Sequence, residues 1–175
     1  VTNVWSTASA GKADIIRSYD AVAIDRHNEN FVEIVRTQTN GRGVDHILDP
    51  IGGAHLKRSL SVLAQGGKLY TYGMSSAAPS SKRSLWKALR ALRSRPRFDP
   101  MLMMSRNQGV FGVHMGTWND EDVMQEQMQN ILKGIKEGAL TPIIDSIYDA
   151  KDVAKAHQHI HDGKNIGKVL LKFVE

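Results

Sequence analysis

Short β-branched or aromatic runs alternate with stretches of helical period along the chain, and this alternation most limits how it can fold. Strands are expected at Asn3–Thr7, Ala21–Ile24, Val44–Leu48, Lys68–Tyr72, Val110–Met115, Ile143–Tyr148 and Val169–Val174. Between them lie helical patterns. Ser9 opens one that runs to Arg17. Asn28 or Asn30 caps a second, with Phe31, Ile34 and Val35 on its apolar face. Leu56, Leu60 and Leu63 repeat at helical spacing until Gly66-Gly67. Further helices are expected at Ser84–Ser94, from Asp99-Pro100, at Val123–Lys136 and at Val153–His161. Strands that alternate with such helices make a parallel sheet covered on both faces, and such sheets take ligands at the carboxyl ends of their strands. The expected class is therefore α/β, a doubly wound and mostly parallel sheet.

Composition narrows the possible chemistry. The 175 residues are 41% hydrophobic and 23% charged, as in a folded globular domain. No cysteine is present, which removes disulfides, thiolate zinc sites and a cysteine nucleophile. No apolar run reaches about 18 residues, so no membrane-spanning helix is expected. The opening Val-Thr-Asn-Val-Trp-Ser-Thr lacks the pattern of a signal peptide. A cytoplasmic location is the expectation.

Charge is unevenly placed. The net charge is +5, yet Pro50 to Phe98 contains no Asp or Glu and ten basic residues, from Lys57 to Arg97. The remaining residues sum to −5, from 13 basic and 18 acidic side chains. Few aromatics interleave with the basic residues, so nucleic acid is not an expected partner. Lys82 to Arg97 forms a basic amphipathic stretch with Leu85, Leu89 and Leu92 along one side. Its simplest reading is a helix packed on its own protein. The alternative is a non-catalytic module that uses this segment to bind an anionic membrane peripherally or a partner.

Gly41-Arg42-Gly43 is the only near match to a dinucleotide-binding fingerprint, and it lies between a helix and a strand. A phosphate loop needs the reverse order, so Gly41 is read as a helix end. Ser6-Thr7-Ala8-Ser9-Ala10-Gly11-Lys12 is the better candidate. It follows a strand, opens a helix, and offers hydroxyls, free backbone N–H groups and one Lys, which suits a phosphate monoester. Arg26, after the next strand, would stand beside it. His157, His159 and His161 form an H-x-H-x-H run in which the outer two share a helix face. With no nearby Cys, Asp or Glu completing a site, the run reads as a solvent-facing helix end, and no metal is expected.

Taken in order, several segments resemble the cofactor-binding half of the medium-chain dehydrogenase/reductase superfamily, in its zinc-independent quinone oxidoreductase branch. They are Ser6–Ser9 with Lys12, Ala23-Ile24-Asp25, Gly41 to Gly53, Gly66 to Gly73, Gly109 to Gly112, and Asn165 to Leu171. The resemblance implies a Rossmann-like fold over residues 1–175, and NADPH-dependent reduction of a quinone or α,β-unsaturated ketone. It implies that Ser9 and Lys12 bind the 2′-phosphate, with Arg26 where the family often has Tyr. Pro50 and Ile51 would lie along the adenosine and ribose. Gly73, Met74, Phe111 and Gly112 would border the nicotinamide, and Asn165 would reach the cofactor.

Against that family the chain lacks the GroES-like substrate domain, the first strand of the nucleotide fold and the glycine-rich loop. The missing strand is central in the order 3-2-1-4-5-6. Its loss leaves rows of unpaired backbone groups, to be closed by the remaining strands or covered by another chain. No catalytic residue is expected on this chain, and weak cofactor binding at best. Strand 109–115, apolar and free of Lys or Pro, is expected at a sheet edge and to pair with its copy in a homodimer.

Overall fold

The computed structural model describes residues 3–75, 86, 89, 93 and 96–173. They divide after Gly116 into two compact units. The first contains β1 (Trp5–Ala8), α1 (Ala13–Arg17), β2 (Val22–Asp25), α2 (Phe31–Gln38), β3 (Val44–Asp49), α3 (His55–Ser61), β4 (Leu63–Thr71), α4 (Pro100–Arg106) and β5 (Gly109–Gly112). The second contains α5 (Glu121–Lys136), β6 (Ile144–Asp149), α6 (Val153–His161) and β7 (Lys168–Lys172).

Every strand pairing among the described residues is parallel, as the alternation of elements requires. The first unit holds a two-stranded sheet, β1-β2, and a three-stranded sheet in the order β3-β4-β5. No pairing joins β1 to β3 among the described residues. The two sheets nevertheless share a core. Ile24, Val35 and Val62 are buried together, with Trp5 and Val22 from one sheet and Val44 and Ile47 from the other packed against them. Ile47 also meets a second cluster of Leu56, Leu63 and Leu69. Leu69 is completely buried. Each such aliphatic side chain contributes about 1.5–3 kcal/mol by leaving water.

Local signals place most boundaries. Asn30, rather than Asn28, caps α2 by accepting from the Val32 N–H at 3.2 Å. Asp99 caps α4 with Pro100 in its first turn. Leu63 departs from expectation. The helix stops at Ser61, and Leu63 begins β4, which runs on through Gly66-Gly67. The cause is long-range: Val44 donates its N–H to the Val62 carbonyl at 2.9 Å. From there the register passes from Val44↔Leu63 to His46↔Lys68. The surplus residues of β4 form an irregularity with Gly66 at φ 77°, a conformation that glycine adopts without a Cβ clash. The predicted helix Ser84–Ser94 lies largely outside the described residues.

In the second unit β6 and β7 pair in parallel. Asp145 ties its parts together. Its Oδ1 accepts the Ile166 N–H at 2.6 Å and its Oδ2 lies 2.7 Å from His159 Nε2. The Ile166 N–H bond, then the contact to His159, holds this carboxyl below its usual range.

Candidate functional site

The carboxyl ends of β1 and β2 meet at the last registered pair, Ala8↔Asp25. Arg26 then donates its backbone N–H to the Ala8 carbonyl at 2.9 Å, and Lys12 donates to the Ser9 carbonyl at 2.9 Å. The loops after β1 and β2 thus lie side by side, with Ser9 and Lys12 on the first and Arg26 on the second. The Ser9 hydroxyl makes no capping bond. Lys12 makes no ion pair among the described residues, and the Arg26 Nε donates only to its neighbour His27, at 3.2 Å. A hydroxyl and two cations are the groups that a phosphate dianion attracts.

Two carboxylates that sequence reasoning left without a role lie in the same place. A cleft of about 220 Å³ between α1 and β2 is lined by Ser9, Ala13, Asp14, Arg17, Asp25 and Glu29, among others. Asp25 accepts from the His27 N–H at 3.0 Å and from the Asn28 amide at 2.7 Å. These bonds, the His27 one first, hold its carboxyl below the usual range. Glu29 in turn accepts the Asp25 N–H at 2.6 Å. The signal was available: Asp25 ends the second strand, one residue before Arg26.

A second group forms on the other sheet. Tyr72 donates to the Asp49 carbonyl at 3.2 Å and Ser75 to that of Pro50 at 3.1 Å, which brings Pro50 and Ile51 beside Gly73 and Met74. The approach is closest at Gly73, where a Cβ would stand 2.5 Å from the Pro50 carbonyl oxygen. Gly52, at φ 73°, lies under Gly73 and Met74. Only glycine permits this proximity of loops. Phe111 stacks on Tyr70 with centroids 5.3 Å apart, and Gly112 pairs with Thr71 at the end of β4. Asn165 lies in the second unit, where its amide donates to the Gly167 carbonyl at 2.9 Å.

The β3 loop is held by Asp49, to which sequence reasoning gave no role. The residue is 1% exposed. Its Oδ1 accepts from Ile51 and Gly52 N–H groups at 2.8 and 3.0 Å. Its Oδ2 meets His55 Nδ1 at 2.9 Å and the Ser59 hydroxyl at 2.8 Å. An ionised carboxylate only accepts, so His55 carries its proton on Nδ1. Burial pushes the carboxyl up, but the bonds from His55, Gly52, Ser59 and Ile51 outweigh it and hold the group at about 2.

A family model for zinc-binding dehydrogenases matches residues 19–171. The chain is 30% identical over 170 residues to the synaptic vesicle membrane protein VAT-1 homolog of Rattus norvegicus, across 96% of this chain and 42% of that protein. The Homo sapiens counterpart is 29% identical, with shares of 96% and 43%. The quinone oxidoreductase of Rattus norvegicus is 23% identical, with shares of 92% and 44%. The chain therefore spans less than half the length of the curated relatives it matches. Among solved structures, the human synaptic vesicle membrane protein VAT-1 homolog-like protein superposes with a TM-score of 0.70 at 22% identity, over 99% of this chain and 45% of that one. JamJ enoyl reductase gives 0.75 at 19% identity, over 98% and 47%. Both likenesses show the Rossmann-like fold.

Proposed function

Because the chain belongs to the zinc-binding dehydrogenase family, we propose that residues 1–175 are the cofactor-binding part of an NADPH-dependent reductase of quinones or α,β-unsaturated ketones. One observation supports the choice of NADPH: Ser9 and Lys12, after β1, lie beside Arg26, after β2, and Lys12 makes no ion pair among the described residues. Bound NADPH would supply the hydride. The residues of this chain bind and orient it. Lys12 and Arg26 neutralise the 2′-phosphate while the Ser9 hydroxyl donates to it. Pro50 and Ile51 form a wall for the ribose, and Asp49 keeps that wall rigid. Gly73, Met74, Phe111 and Gly112 line the nicotinamide end. Titration with NADPH and NADH should show at least tenfold tighter binding of NADPH. Equal affinities would remove the 2′-phosphate reading.

The donor set does not fit a zinc site. The sequence contains no cysteine, and the described residues hold no group of three or more His, Asp or Glu side chains suited to a metal. In this reading hydride transfer proceeds without zinc.

The proposal includes a homodimer through β5, which lies at the edge of its sheet. Val113 donates inward to the Thr71 carbonyl at 2.9 Å, so proline at Val113 would break an internal bond. Alternation along the strand turns the Gly112 N–H outward, and nothing lies within 4 Å of a Cβ there. Gly112→Pro should therefore shift the sedimentation profile from dimer to monomer. A monomeric parent chain at high concentration contradicts the dimer.

Membrane contact is a second reading. Trp86 and Leu89, within the basic stretch, are 80% and 51% exposed. No helix among the described residues is long and apolar enough to cross a membrane. Co-sedimentation with anionic vesicles that disappears at high salt supports surface binding; no binding at low salt excludes it.

A further inference from the structure

The three histidines of α6 do different things. His159 faces inward, with Nε2 at 2.7 Å from Asp145 Oδ2 and its ring 6.2 Å from that of Tyr148. These contacts fix the rotation of the helix. One turn apart on its exposed side stand His157 and His161, with ring centroids 6.4 Å apart and planes at 35°. Neither imidazole has a hydrogen-bond or ion-pair partner among the described residues. The lysines flanking the pair in sequence are both engaged, Lys155 with Asp152 and Lys164 with Asp162, each at 2.8 Å. Their charges are thereby offset, which lowers the repulsion that an arriving cation meets.

We propose that His157 and His161 form a two-imidazole clip for an exchangeable divalent transition-metal ion, with Cu²⁺ held more tightly than Zn²⁺. Residues four apart project from one helix face. Rotation of two exposed side chains is enough to turn both ring nitrogens onto one ion. Imidazole suits copper, nickel and zinc, and copper is the strongest of these with a given nitrogen set. Two protein donors leave the remaining positions to water, so the ion exchanges freely, in contrast to a closed structural site with four protein ligands.

The test is titration of the full chain with CuCl₂, followed by calorimetry and by electron paramagnetic resonance. The tightest site should show coupling to two nitrogens. His157→Ala and His161→Ala should each weaken it at least tenfold, while His46→Ala leaves it unchanged. Both positions are exposed, so the far-ultraviolet circular dichroism of the variants should match the parent. A double variant that binds Cu²⁺ as tightly as the parent overturns the proposal, as does a signal from one nitrogen only.

Discussion

Asp49→Ala should lower the free energy of unfolding by about 3–5 kcal/mol, the range for removing one partner from a buried charged network. The substitution strips acceptors from the Ile51 and Gly52 N–H groups, the His55 ring and the Ser59 hydroxyl at once. Each orphaned buried donor costs about 1–3 kcal/mol unless water reaches it. Asp49→Asn keeps one acceptor oxygen for the two backbone donors and should cost about half as much. Urea unfolding of parent and variants measures the difference, and equal midpoints would show that the network contributes little. The same carboxyl sets an acid limit. Its pKa is lowered from 3.8 to about 2 on folding, so its contribution is complete above about pH 4 and fades as pH falls through about 2. At 1.36 kcal/mol per unit, that contribution is roughly 2 kcal/mol. Asp49→Asn should flatten this part of the pH–stability curve.

Lys12→Ala should weaken NADPH binding at least tenfold, Arg26→Ala should do likewise, and both should leave NADH affinity within about twofold. A hydrogen bond to a charged partner contributes about 1.5–3 kcal/mol, so removal of both cations should abolish discrimination between the cofactors. The carboxylates Asp25 and Glu29 line the neighbouring cleft, and with the cations gone they would disfavour the phosphate further. Fluorescence titration of the single and double variants with both cofactors supplies the readout. Variants that lose NADPH and NADH affinity in parallel would place the cations away from the 2′-phosphate.

Much of this protein is legible in short windows. Period-two and period-3.6 patterns mark its strands and helices because side-chain direction in each element is local geometry. Asn30, Asp99 and the Ser9–Lys12 loop are readable for the same reason: a cap or turn satisfies backbone groups two or three residues away. Where local signals and distant pairing disagreed, pairing prevailed. Leu63 continues a helical leucine pattern, yet its backbone serves β4 because Val44 arrives from a remote stretch to accept that register. Asp49 gives no sign in sequence that it is fully buried and four times hydrogen-bonded, since burial depends on everything packed around it. The edge of β5 shows the same division. Its apolar composition is written in sequence, but which of its N–H groups face inward is set by the Thr71 carbonyl beside Val113. The sequence by itself determined the parallel α/β class, the order of the elements and the loop that carries Ser9 and Lys12. The tertiary structure decided which donors are spent inside the fold and which remain for a ligand, because a hydrogen-bonding group is free only when no distant part of the chain has already claimed it.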